Sequence, residues 1–249
     1  MTRPPGSRTA GTIGAEPAVS AVLFDFDHTL FTFDDSVNWH RRALGRLGRP
    51  AGDAEAGDLC ARVEGSRAHP RTIAEWQGCQ RSAATHRSAL LAWFRRAGAD
   101  PALAESLYEQ LVVPDGWTPY QDTTLALATL HAAGVPTAVV SNVGWDIRPT
   151  FSTHGLADLV DVFVLSCEQG REKPDPDLFT EACAGLGVTP RTAVMVGDDV
   201  VNDGSAVQAG LRALLLPARP DGGWRGLGVV LELLGLNPLE IMTGKERNL

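Results

Sequence analysis

Asp25 and Asp27 stand two residues apart, directly after the apolar run Ala21-Val-Leu-Phe24, with His28 and Thr29 following. Three further apolar runs end or continue in the same way. Ser141-Asn142 follows Thr137-Ala-Val-Val140, and Gly197-Asp198-Asp199 follows Ala193-Val-Met-Val196, with Asp203 four residues further on. Lys173 lies in the loop beyond Val162-Phe-Val-Leu165. The chain has two lysines, Lys173 and Lys245, among 22 basic residues, so one landing among these acids is more informative than usual. Carboxylates can attack, exchange protons and hold a hard cation. A hydroxyl, an amide and an amine are what an anion needs around it.

The elements that must position these groups follow from pattern. Ala21–Phe24 is continuously apolar, as expected of a strand buried on both faces. The runs at 137–140, 162–165 and 193–196, with Ala213 to Leu216, complete a set of strands. Helical signals at Thr123 to Ala133, Asp177 to Leu186, Ala206 to Ala209 and Val229 to Leu234 alternate with them, and Gly134, Gly187 and Gly210 mark ends. Alternation implies right-handed crossovers and a parallel sheet, whose ligands bind beyond the carboxyl ends of the strands. From Phe33 to Asp115 the texture is all helical. Val37, His40, Leu44 and Leu47 repeat at three and four, with Asp34 or Asp35 as N-cap; Leu90 to Phe94 and Leu103, Leu107, Leu111 give two more apolar faces. The fold class expected is therefore α/β, a Rossmann-like parallel sheet core with an inserted small all-helical domain. The core takes residues 20–32 and 116–249 and the insert residues 33–115. Residues 1–19, rich in Arg, Pro and Gly, are expected to form a flexible tail, not a secretory signal.

A formal net charge of -8 argues against a nucleic-acid footprint. No apolar run approaches the ~20 residues that span a bilayer, so no membrane partner is expected. Cys60, Cys79, Cys167 and Cys183 lack metal-ligand spacing and are expected to be free thiols, which makes the cytoplasm the default location.

Taken in order, Asp25-Phe-Asp27-His-Thr29, Ser141, Lys173 and Gly197-Asp198-Asp199 resemble the four motifs of the haloacid-dehalogenase-like superfamily, from about residue 20 onward. The helical insert looks like that family's small cap. The resemblance implies Asp25 as the nucleophile toward a small phosphorylated metabolite, through an aspartyl-phosphate, and Asp27 as the acid and base. It implies Mg²⁺ as cofactor, held by the Asp25 side chain, the Asp27 backbone carbonyl and the Asp198 side chain. Ser141 and the backbone N–H of Asn142 would bind the phosphoryl group, and Lys173 would neutralise it. Asp203 and Asp199 would support the ion or Lys173 from behind, and Thr29 would bond locally and brace the loop. His28 stands where the family usually has Gly, which strains any backbone needing positive φ there.

Asp27 favours ester hydrolysis over dehalogenation, since dehalogenase relatives lack an acid at that position. The insert has no lysine for a phosphonatase-type Schiff base. A phosphomutase or phosphotransferase on the same core, and a catalytically silent binding protein, remain as alternatives. His40, Arg41, Arg42, Trp76, Arg81, His86 and Arg87 are the insert residues that could touch substrate, each more ordinary as surface or core.

Overall fold

The computed structural model describes residues 18–33, 36–217, 219 and 222–239. Most of the expected tail and the proposed N-caps Asp34 and Asp35 lie outside these residues. Among the described residues seven strands are formed: β1 (Ala21–Phe24), β2 (Phe31–Phe33), β3 (Trp117–Pro119), β4 (Thr137–Ser141), β5 (Val162–Leu165), β6 (Ala193–Gly197) and β7 (Arg212–Leu215). Five of them make one parallel sheet in the order β5-β4-β1-β6-β7.

The period of two along each strand explains why the sheet is covered on both faces. Val22 and Phe24 of β1, with Val139, Val194 and Val196, join one apolar cluster. Their neighbours Ala21, Leu23, Ala138, Val140, Ala193 and Met195 point into the other. Helices α6 (Thr123–Ala132), α7 (Arg148–Thr153) and α10 (Gly228–Leu233) supply Leu127, Phe151 and Val230 to the first cluster. The second is closed by Leu178, Phe179 and Ala182 of α9 (Asp177–Gly185). A further short helix, α8 (Ser166–Gln169), continues directly from β5. Among the described residues, five α-helices precede these in the chain.

Those five helices occupy the stretch between β2 and β3: α1 (Ser36–Arg46), α2 (Asp53–Gly65), α3 (Pro70–Trp76), α4 (Ala83–Arg96) and α5 (Pro101–Val112). Their starts are chemically marked. The Ser82 hydroxyl accepts from the N–H of Thr85 at the head of α4, and the Asp100 carboxylate from that of Leu103 ahead of Pro101 in α5. Trp39, Leu59, Leu90, Phe94 and Leu107 form an apolar cluster of their own. β2 and β3 pair antiparallel, Phe33 opposite Trp117, and carry the chain out to these helices and back. Three-residue strands are too short for alternation to reveal. This ribbon is thus an addition to the sequence reading, β2 crossing the first expected boundary of the insert and β3 beginning just beyond the second. Among the described residues no helix is long and apolar enough to cross a membrane.

Candidate active site

Every parallel strand that carries a predicted polar residue delivers it to the same rim of the sheet. Asp25 leaves β1 with its N–H donating to the Val196 carbonyl of β6 at 2.9 Å. Lys173, on the loop after α8, runs under that rim and is almost fully buried. Its Nζ donates to Asp25 Oδ1 at 2.8 Å, to Asp203 Oδ1 at 2.6 Å and to the Val140 carbonyl at 3.0 Å. All three ammonium donors are used, so the amine has one position. Burial alone would lower the Lys173 pKa, but Asp25 and Asp203 outweigh it and the net direction is upward.

The acids around this amine differ in what remains free on them. Asp203 is fully buried and saturated: Oδ1 takes Lys173, and Oδ2 accepts the N–H groups of Asp198 and Asp199, each at 3.0 Å. Burial pushes the Asp25 carboxyl up to about 7 against the pull of Lys173, with Asp203 adding to the rise. Asp198 and Asp27 are raised as well, first by desolvation; His28 opposes the rise at both, while the like charge of Asp203 adds to it at Asp198 and that of Asp198 at Asp27. Asp27 Oδ1 is buried without a hydrogen-bond partner. Ligand oxygens of Asp25, Asp198 and Asp203 lie within 4.8 Å of one another. Hard oxygen donors at that separation, with an excess of negative charge, fit a small divalent cation.

Ser141 ends β4, almost fully buried, and lines a cavity of about 210 Å³ together with Asp25, Asp27, Lys173 and Asp198. Asn142 contributes more than its backbone. Its side chain clasps the Lys173 peptide, Nδ2 donating to the carbonyl at 2.9 Å and Oδ1 accepting the N–H at 2.7 Å. His28 adopts φ 57°, the left-handed conformation for which glycine is the unstrained residue.

Two expectations need correction. The Thr29 hydroxyl is buried and makes no hydrogen bond, so it packs in the loop and does not brace it by bonding. Asp199 lines the cavity, but Oδ1 accepts from the N–H groups of Val201 and Asn202 and Oδ2 from the Asn202 amide. Its carboxylate closes its own turn and does not reach Lys173; only its N–H supports Asp203. Among the insert residues singled out, Trp76 reaches the cavity. His40 and His86 are buried in packing, Arg41 pairs with Asp53 and Arg87 with Glu105.

Sequence reasoning missed two residues. Gln80, in a 3-10 turn at Cys79–Arg81, lines the cavity and donates from Nε2 to the Asn142 carbonyl at 2.8 Å. Its N–H donates to Glu172 and its carbonyl accepts from Ser166. The buried Arg225 donates to the carbonyls of His28 at 2.5 Å, Pro217 at 2.5 Å and Leu216 at 3.0 Å. Neither belongs to a local pattern. Each acts across a large sequence separation, which one sequence does not display.

A five-stranded parallel sheet with carboxylates and one buried lysine at its rim defines a protein of the Rossmann-like α/β class with an acidic site at the strand ends. The family model of haloacid dehalogenase-like hydrolases matches residues 19–210, and the chain belongs to that family. The glyceraldehyde 3-phosphate phosphatase of Methanopyrus kandleri is 30% identical over 74% of this chain and 78% of its own length. Haloacid dehalogenase-like hydrolase domain-containing protein 3 of Danio rerio is 33% identical over 49% of this chain. That match spans about half the length of the relative, 52%. Among solved structures, the 2-haloacid dehalogenase of Pseudomonas syringae pv. Tomato DC3000 superposes with a TM-score of 0.60. It is 26% identical and covers 87% of this chain and 98% of its own.

Proposed function

We propose that this hydrolase is a magnesium-dependent phosphatase that cleaves a small-molecule phosphate monoester in two steps, with Asp25 as nucleophile. The observation that carries the reading is the pairing of Asp25 with a buried, fully bonded lysine while a second carboxyl, Asp27, opens on the same cavity with a raised pKa. Dehalogenation needs an attacking carboxylate but no leaving-group proton. An ester needs both, and Asp27 is the group that can carry it.

The Asp25 side chain, the Asp27 carbonyl and the Asp198 side chain would hold the metal. Asp203 is better suited to orienting Lys173 and the Asp198 loop, because both its oxygens are already engaged. Bound Mg²⁺ would supply the positive charge that keeps Asp25 ionised and offsets the anionic phosphate. The free Asp25 oxygen attacks phosphorus; the ester oxygen departs with the proton of Asp27, leaving an aspartyl-phosphate. Asp27, now a base, takes a proton from water, whose oxygen attacks phosphorus and returns Asp25 with inorganic phosphate. Throughout, the Lys173 ammonium, its three donors already engaged, would offset the phosphoryl charge through space, while the Ser141 hydroxyl would orient a phosphoryl oxygen. The likeness to a glyceraldehyde 3-phosphate phosphatase over most of both chains supports a phosphorylated metabolite as substrate.

The test is phosphate release from a panel of phosphorylated metabolites and p-nitrophenyl phosphate, with and without Mg²⁺. Wild type should turn over only with the metal, and Asp25→Asn should lose at least about 10³-fold. Equal silence of wild type and variant across the panel would leave a binding protein. Isomerised hexose phosphate without free phosphate would indicate a mutase.

A further inference from the structure

A second cavity, of about 320 Å³, opens in the helical insert between α3 and α4. Its walls are Arg67, Thr72, Ile73, Trp76, Gln77 and Trp93, and Trp76 borders the catalytic cavity as well. The two spaces therefore meet at one indole. Ile73 and Trp76 are large apolar side chains left 51% and 38% exposed, although α3 buries only Thr72. The Trp76 and Trp93 rings stand edge to face, centroids 5.9 Å apart at 86°, and the Arg67 guanidinium lies 5.9 Å from the Trp93 centroid. Walls of this kind, indole faces and edges beside a flat cation, favour a ring. The cleft is also held in shape. Trp93 Nε1 donates to the Val63 carbonyl at 3.0 Å, and the Thr72 hydroxyl is fixed by Ser66 and Arg96. What the cleft offers a ligand is thus apolar surface and a cation face. It adjoins the chemistry through Trp76, which lines both cavities.

We infer that the substrate is a phosphate monoester whose alcohol carries an aromatic ring, and that this ring lodges in the insert cleft beside Trp76, Trp93 and Ile73 while the phosphate sits at Asp25. The inference rests on the phosphatase reading and goes beyond it. A short polyol phosphate would fill only the inner cavity. An apolar cavity of roughly 150 Å³ is enough for benzene, so the cleft has room for a substituted or fused ring.

The test pairs ligands of equal leaving-group acidity. For wild type, kcat/KM for 3-phenylpropyl phosphate should exceed that for propyl phosphate by at least tenfold. In parallel, calorimetry with Mg²⁺ should show 3-phenylpropylphosphonate binding at least tenfold tighter than propylphosphonate, and tighter than the 3-cyclohexylpropyl analogue. Ile73→Asp, at an exposed position outside the catalytic cavity, should reduce both preferences to about twofold. Equal hydrolysis and equal binding of the phenylpropyl and propyl ligands would overturn the cleft assignment and leave the phosphatase reading standing. Equal binding of phenyl and cyclohexyl phosphonates would overturn its aromatic character. A phosphonate preference without any phosphate release would uphold the cleft and sink the phosphatase reading. Absence of both would sink the two together.

Discussion

Around Lys173 three carboxylates, Asp25, Asp198 and Asp203, face one ammonium, so the ionised cluster is in anionic excess. Burial answers by raising Asp25 to about 7. The native state then keeps a proton between pH ~4 and ~7 that the unfolded chain has released. The stability this group confers is complete below its unfolded pKa and is lost as pH rises through 7. Asp25→Asn should therefore melt at or above wild type at pH 8 in EDTA, while being inactive; a melting temperature several degrees lower would contradict the cost assigned to Asp25. Adding Mg²⁺ should raise the melting temperature of wild type more than that of the variant, by mass action on the folded state. Lys173→Met removes the counter-charge and leaves buried carboxylates unpaired, which should cost about 3–5 kcal/mol by urea unfolding at pH 8. At this scale much was legible. Asp25, Asp27, Ser141 and Asp198 sit at strand ends, where topology alone brings them together, and Lys173 joins them from the loop after α8. Asp199 misled because an acid beside a turn serves equally well as a cap, and spacing does not tell which neighbour its oxygens will choose.

Elements were legible where burial imposes a period. β1, β4, β5 and β6 are continuous apolar runs because both faces of the sheet are covered, and α4 and α5 announce themselves by the apolar faces Leu90 to Phe94 and Leu103, Leu107, Leu111. The joints between elements were not legible, since they depend on shape. Gly144, after β4, shows this: a Cβ there would lie 2.0 Å from Cγ of His86 in α4. Gly144→Ala should push α4 away from the β4 loop and destabilise by about 1–3 kcal/mol, read from urea midpoints. His86 itself is buried, and burial lowers its pKa to about 4. The unfolded chain binds this proton between pH 4 and 6.5 and the native state does not. Its contribution is intact above pH 6.5 and fades as pH falls toward 4. Between pH 7 and pH 4.5, His86→Leu should lose on the order of 2 kcal/mol less stability than wild type. Parallel pH curves for the two proteins would refute a neutral buried imidazole.

Across the whole molecule, the segment after β7 returns to brace the loop that follows β1. Asp122 accepts the N–H groups of Arg225, Gly226 and Leu227, each at 2.8 Å, and so fixes the entry to α10. From that anchor the Arg225 side chain reaches the His28 carbonyl, 197 positions away in the chain, and the carbonyls of Leu216 and Pro217. His28 holds φ 57°, a conformation a β-carbon resists, so something must hold its peptide in place. One arginine among many carries no mark of such a role, which is why the sequence shows the closing helix but not its clamp. If the clamp sets the direction of Asp27, its loss should act on proton transfer more than on binding. Arg225→Lys retains the charge but loses the planar fork of donors that serves three carbonyls. We expect kcat to fall by about tenfold or more with KM within about threefold, and the pH limb of kcat assigned to Asp27 to shift. A variant that is less stable by about 2 kcal/mol, but keeps both kcat and that limb at a temperature where it is folded, would make Arg225 a purely structural tie.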